Sequence, residues 1–254
     1  MTEAAGYLIA DGVRLETRWW GEPAPEAVVL LHEGLGCVAM WRDFPERLAD
    51  RLARPVFAYS RAGYGRSDPV ALPRPVTYMH HEGDVVLPEV LDAAGIERAT
   101  LIGHSDGGSI AIVQAGSGDP RIDRLVLIAA HVFNEPVSRE TIAEVGRRYE
   151  KTDLRARLAK RHGANVDVVF HGWHDVWLSE GFREWNLEPY LPSIRVPTLV
   201  IQGEDDDFGT RAQVEAIVGG VAGPVESVLI PDCGHAPHRD RPDVLLETIA
   251  GFLA

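Results

Sequence analysis

Short, largely apolar strand-like runs recur along this chain, with amphipathic helical stretches between most neighbours. The runs are Ala27–His32, Val56–Tyr59, Ala99–Ile102, Leu125–Ala129, Thr198–Gln202 and Ser227–Ile230. A strand that is apolar throughout must be covered on both faces, and a parallel sheet flanked by helices does this. Trp41, Phe44, Leu48 and Leu52 recur at three and four residues, which predicts a helix over Trp41–Leu52. Further helices are expected over Tyr78–Ala94, stopped by Gly95, and over Gly107–Ala115, Thr210–Val218 and Val244–Leu253. Asp11-Gly12 between Tyr7–Ala10 and Val13–Trp20 is a hairpin signal, so the chain should open with two antiparallel strands. The alternation lapses after Ala130. Residues 131–190 read as mostly helical and hold Trp173, Trp177 and Trp185. The fold expected is therefore α/β, a mainly parallel twisted sheet with flanking helices. Its core is 1–130 and 191–254, and 131–190 is an inserted helical cap or lid.

Composition narrows the function. The 254 residues are 45% hydrophobic and 25% charged, a balance that excludes a largely disordered chain. With 25 basic against 38 acidic side chains, the net charge is −13. That argues against a nucleic-acid partner and against an anionic membrane surface. The best apolar runs, Ala27–Leu31 and Leu125–Ala130, fall far short of the roughly 20 residues a spanning helix needs. Met1–Gly6 lacks a basic stretch followed by an apolar core, so no secretory signal is expected. Cys37 and Cys233 cannot make a disulfide scaffold and fit a reducing cytoplasm, the location expected for this chain.

The chemistry is concentrated in Gly103-His104-Ser105-Asp106-Gly107, a Gly-x-Ser-x-Gly placed between a strand and a helix. To point a hydroxyl out of the sheet, Ser105 must sit in a sharp turn. Strand and helix then come too close for large side chains two residues to either side, and Gly103 and Gly107 provide that clearance. Ser105 also lies at a helix N-terminus, where unpaired N–H groups favour developing negative charge. Chance alone would produce this pattern in about one such chain in ten, so the flanking strand and helix are what give it weight.

With Leu30-Leu31-His32-Glu33-Gly34-Leu35-Gly36, Tyr59–Ser67, Gly203-Glu204-Asp205-Asp206 and Gly234-His235 in the same order, the chain resembles the α/β-hydrolase superfamily over nearly its whole length. The resemblance is to the serine-nucleophile branch with a short helical cap. It implies a nucleophile, acid and histidine in that chain order. Ser105 would be the nucleophile and His235 the base, with His238 as its competitor. The acid would follow the strand Thr198–Gln202, three residues after its glycine, which selects Asp206 with Asp205 and Asp207 as register alternatives. The other family position for the acid, after the preceding strand, reads Ala129-Ala130-His131 and offers no carboxylate before Glu135. The oxyanion hole would use the N–H of Asp106 and one from His32–Gly36, with Gly34 ahead of Leu35. Glu33 departs from the common His-Gly start of that loop, as a loop-fixing carboxylate or a substrate contact. Branches with an aspartate nucleophile, the haloalkane dehalogenases and epoxide hydrolases, are disfavoured by Ser105.

The expected activity is cleavage of a small carboxylic ester through an acyl-enzyme, without cofactor or metal. C–C hydrolysis of a diketone-type ring-cleavage product is the alternative, and a non-catalytic small-molecule receptor the competing class. The partner expected is a small acyl substrate. Leu35, Glu33, Trp173, His174 and Trp177 are the candidate substrate contacts, and Phe170, Phe182 and Trp185 could add to an apolar pocket. His171-x-x-His174-Asp175 has no third clear ligand and no HExxH frame, so a structural or substrate role is expected. His80, His81 and His162 read as solvated helix residues, and Cys37 and Cys233 as small packing residues.

Overall fold

A computed structural model describes residues 3–254. Met1 and Thr2, the start of the Met1–Gly6 segment expected to carry no secretory signal, lie outside the described residues. The opening hairpin forms as expected, with β1 (Glu3–Ala10) and β2 (Val13–Trp20) paired so that Ala10 faces Val13. Asp11 and Gly12 both adopt positive φ, 49° and 69°, the conformation a two-residue hairpin needs.

The remaining strands are β3 (Glu26–Leu31), β4 (Val56–Tyr59), β5 (Arg98–His104), β6 (Ile122–Ile128), β7 (Thr198–Gly203) and β8 (Val225–Ile230). The sheet has eight strands in the order β1-β2-β4-β3-β5-β6-β7-β8. Only β2 runs opposite in direction to the other seven strands. Helices are α1 (Phe44–Leu52), α2 (Tyr78–His81), α3 (Leu87–Ala94), α4 (Asp106–Gly116), α5 (Pro136–Lys151), α6 (Leu154–His162), α7 (Val166–Leu178), α8 (Arg211–Gly220), α9 (Pro237–Asp240) and α10 (Pro242–Leu253).

Alternate residues of the central strands feed two cores. Val29, Leu31, Leu101 and Leu127 pack on the side of α3, α4 and α8. Val28, Leu30, Ile102 and Val126 pack on the side of α1 and α10. This is why runs such as Ala27–Leu31 and Leu125–Ile128 are apolar without interruption. Ile142, Val145, Leu158, Trp173 and Trp177, all between β6 and β7, join the first core.

One helix starts later than expected, and another carries a π-helical turn inside its expected bounds. The stretch from Trp41 is interrupted: Val38–Trp41 is a 3-10 turn, Arg42 takes φ 56°, and the α-helix starts only at Phe44. The apolar spacing reflected two separate pieces that bury Trp41 and Phe44 together, their rings 6.1 Å apart. Tyr78–Ala94 is helical throughout, with a π-helical turn at Glu82–Val86, and ends where Gly95 takes φ 68° and caps the last carbonyls.

Candidate active site

The carboxyl ends of β3, β5, β7 and β8 are each followed by one of the candidate residues: the His32–Gly36 loop, Ser105, Asp206 and His235. Ser105 joins β5 to α4 with φ 53° and ψ −119°, a conformation rare for a residue with a side chain and costing about 1–3 kcal/mol. The surroundings hold it there: its N–H donates to the Ile128 carbonyl at 2.9 Å and its carbonyl accepts from Gly108 N–H at 2.8 Å. The flanking glycines are required by contact. A Cβ on Gly103 would collide with the backbone of Gly107 and Gly108, and one on Gly107 with the Leu31 carbonyl.

His235, beyond β8, lies with Nε2 2.9 Å from Ser105 Oγ. Its Nδ1 is 2.8 and 3.0 Å from the two carboxylate oxygens of Asp206. A carboxylate only accepts, so Nδ1 carries the proton and Nε2 is left to accept from the serine hydroxyl. Phe208 N–H also donates to Asp206 Oδ1, at 2.9 Å. Burial would raise the Asp206 carboxyl, but the charge and hydrogen bond of His235, with the Phe208 N–H, outweigh it and hold it below the usual carboxylate value. Of the register alternatives, Asp205 and Asp207 are exposed. His238 is buried against Trp41 and His104, ring centres 5.1 and 5.0 Å away, and burial with the His104 charge pushes it down to about 3. Glu135 is engaged elsewhere, accepting from Thr210 and Gln213.

The His32–Gly36 loop is fastened from beneath. His32 Nδ1–H donates to the Glu33 carbonyl at 2.8 Å, and its Nε2 accepts from Arg61 N–H at 3.1 Å. Burial and the Arg61 charge keep this imidazole neutral, well below its ordinary value. The Arg61 guanidinium, 1% exposed, donates to the carbonyls of His32 and Glu33 at 2.6 and 3.1 Å and lies 3.7 Å from the Asp106 carboxylate. Tyr78 donates to that carboxylate at 2.6 Å and accepts from the Trp177 indole at 3.2 Å. One buried cation thus ties the β3 loop to the residue after Ser105. The N–H groups of Gly34, Leu35 and Asp106 donate to no protein acceptor among the described residues.

Replacing Arg61 by Met leaves Asp106 and two carbonyls without their cation, so stability should fall by about 3–5 kcal/mol. Urea unfolding measures it. The double variant Arg61→Met/Asp106→Asn should recover part of the loss, and an equal loss in both would place the cost elsewhere.

One histidine departs from the sequence reading. His162 is 2% exposed rather than solvated: Gly65 N–H donates to its Nδ1 at 3.0 Å and its Nε2–H donates to the Leu35 carbonyl at 3.1 Å. It joins the end of α6 to the β3 loop. No local signal marks it, because its partners are about a hundred residues away. Glu33 reaches to 3.5 Å from His104 Nδ1, while His104 Nε2–H donates to the His235 carbonyl at 2.7 Å. Burial would raise Glu33, but the His104 bond and charge, with His238 and His32, hold it well below the usual range. His80 is half-buried and His81 exposed.

Ser105 and His235 line a cavity of about 790 Å³ together with Glu33, Gly34, Leu35, Trp173 and Trp177. A side chain on Gly34 would strike the Trp173 indole, so that ring packs directly on the loop. His174 does not belong to this lining. It faces the other way on α7, against Gly146 and stacked on Phe170 at 5.0 Å, with Nδ1 2.7 Å from Asp175. Phe170, Phe182 and Trp185 also lie outside the lining and pack in the core. The reason is helical periodicity: Trp173 and Trp177 share one face, and the neighbouring residue points away. Cys37 and Cys233 are buried, and burial pushes their thiols up to about 12 and about 11, so neither is a thiolate at neutral pH.

The chain belongs to the alpha/beta hydrolase family, whose sequence model matches residues 28–248. Among curated relatives, putative carbamate hydrolase RutD of Caulobacter segnis is 34% identical over 119 residues, 46% of this chain and 43% of that protein. The chain spans less than half of that relative. RutD of Azorhizobium caulinodans is 28% identical over 88% of this chain and 90% of its own. The 2-hydroxymuconate semialdehyde hydrolase of Pseudomonas sp. strain CF600 is 25% identical over 99% and 94%. Among solved structures, the enol-lactonase of Burkholderia xenovorans LB400 has a TM-score of 0.73 at 25% identity, covering 98% of this chain and 99% of its own. The relatives are hydrolases, and no helix among the described residues is long and apolar enough to cross a membrane.

Proposed function

We propose that this hydrolase cleaves a small carboxylic ester with Ser105 as nucleophile, His235 as general base and Asp206 as the orienting acid. The observation that carries it is the continuous arrangement Ser105 Oγ, His235 Nε2 at 2.9 Å, and His235 Nδ1 at 2.8 Å from Asp206. His235 takes the hydroxyl proton as Ser105 Oγ attacks the acyl carbonyl. The oxyanion is held by the N–H groups of Gly34 and Asp106, each worth about 10²–10³ in rate. His235 then returns the proton to the leaving alcohol, and a water, deprotonated by the same imidazole, releases the acid from Ser105. Asp206 stays ionised and fixes the tautomer throughout. Residues 131–190 act as the cap, setting specificity through Trp173 and Trp177, while Leu35 and Glu33 border the acyl site.

C–C hydrolysis is the second reading. It is favoured by likeness to a relative named as a 2-hydroxymuconate semialdehyde hydrolase and by the same nucleophile and base. Turnover of p-nitrophenyl acetate and butyrate tests the choice. Rapid nitrophenolate release with slow bleaching of a coloured dienoate is expected, and the opposite ranking would favour C–C cleavage. An absence of both turnover and fluorophosphonate labelling would leave a receptor.

A further inference from the structure

The chain carries a net charge of −13, yet the cavity holding Ser105 and His235 is lined by six cations and one carboxylate. The cations are Arg42, Arg148, Arg157, Lys160, Arg161 and Arg239, and the carboxylate is Glu33. They come from four places: the turn before α1, the end of α5, the exposed side of α6, and α9. Helix α6 (Leu154–His162) contains Arg155, Arg157, Lys160 and Arg161 and no acidic residue. All six lining cations are exposed, whereas Ser105 is 6% exposed, so the positive charge lies on the solvent side of the cavity and the nucleophile on its inner side. Among the six, only Arg157 has an ion-pair partner in the described residues, Asp153 at 3.4 Å, and Glu33 is turned to His104. Apart from His104, His131 and Ser138, the remaining wall is mostly apolar, with Leu35, Ile142, Val145, Leu158 and the two indoles.

The geometry points to an anionic substrate: an acyl compound with a hydrophobic chain and a carboxylate or similar anion at the end remote from the scissile carbonyl. This rests on the ester-cleaving reading for its chemistry but not for its binding. Exposed single ion pairs contribute little. A cluster of one sign at the mouth of a low-dielectric cleft concentrates anions and raises association by about 10 to 10³, an effect that salt removes. Solubility alone does not require such a cluster in a chain already this acidic.

Mono(4-nitrophenyl) adipate and 4-nitrophenyl hexanoate differ only by a carboxylate in place of the terminal methyl. At an ionic strength of about 20 mM, kcat/KM for the adipate should exceed that for the hexanoate about tenfold, and the ratio should fall towards one at about 500 mM. The triple variant Arg157→Gln/Lys160→Gln/Arg161→Gln should reduce the low-salt ratio below about twofold. An equal or lower rate for the adipate at low salt overturns the inference, and so does a ratio that neither salt nor the variant changes. Binding separates this from the reaction assigned above. Adipic acid monoanilide and hexananilide are titrated against Ser105→Ala, following tryptophan fluorescence. Tighter, salt-sensitive binding of the adipate derivative upholds the anion site even if neither ester is hydrolysed. Equal binding of the two rejects it even if both are.

Discussion

Ser105→Ala lowers ester turnover by about 10⁴- to 10⁶-fold, because the attacking oxygen is removed while the cavity and oxyanion donors stay in place. The expected loss is in kcat. KM should change little if binding is governed by the cavity walls rather than by Oγ. Folding should be nearly unaffected. Ala at position 105 adopts the same φ of 53° at similar cost to Ser, and the hydrogen bond lost is the one to His235. A thermal midpoint within a few degrees of wild type would show that the loss is chemical. A fluorophosphonate should add its mass once to the wild type and not to the variant. Retention of more than about 1% of the turnover, or labelling of Ser105→Ala at another residue, would remove Ser105 from the role assigned to it.

That the hydroxyl's position was legible at all follows from sterics. Gly103 and Gly107 are fixed by backbone atoms of Gly107, Gly108 and Leu31, which no side-chain rearrangement can move aside, so the requirement is written in the local sequence. The strands were legible for a similar reason: both faces of β3, β5 and β6 are covered, and covering leaves an uninterrupted apolar run. What could not be read depends on distant partners. Arg61, His162 and His104 act through hydrogen bonds to main-chain groups of segments 28 to 131 residues away, and any backbone offers the same acceptors. His174 shows the complementary error. An aromatic-rich stretch gives the composition of a wall but not its facing, and α7 turns Trp173 and Trp177 to the cavity while sending His174 to the α5 side.

Asp206→Asn is the sharper test of the arrangement, because it changes one atom type and leaves the volume. Asp206 Oδ1 now accepts from both Phe208 N–H and His235 Nδ1–H. With its oxygen kept on Phe208, an asparagine puts its NH2 in the place of Oδ2, 3.0 Å from His235 Nδ1, where a neutral imidazole avoids opposed N–H donors by accepting. The ring proton then moves to Nε2, and Nε2–H faces Ser105 Oγ, from which it can no longer take a proton. The loss in kcat should be about 10⁴-fold. Asp205→Asn and Asp207→Asn, both exposed, should stay within about twofold, and a large loss at either would reassign the acid. Stability against pH gives a second readout. The folded carboxyl of Asp206 is held below its unfolded value of about 3.9. Its ionised form therefore contributes stability that is complete above that value and is lost as pH falls through the lower, folded one. The asparagine variant lacks this term. Its thermal midpoint should fall less steeply than that of the wild type as the pH is lowered from about 5, and parallel curves would mean that the His235–Asp206 pair does not form in solution.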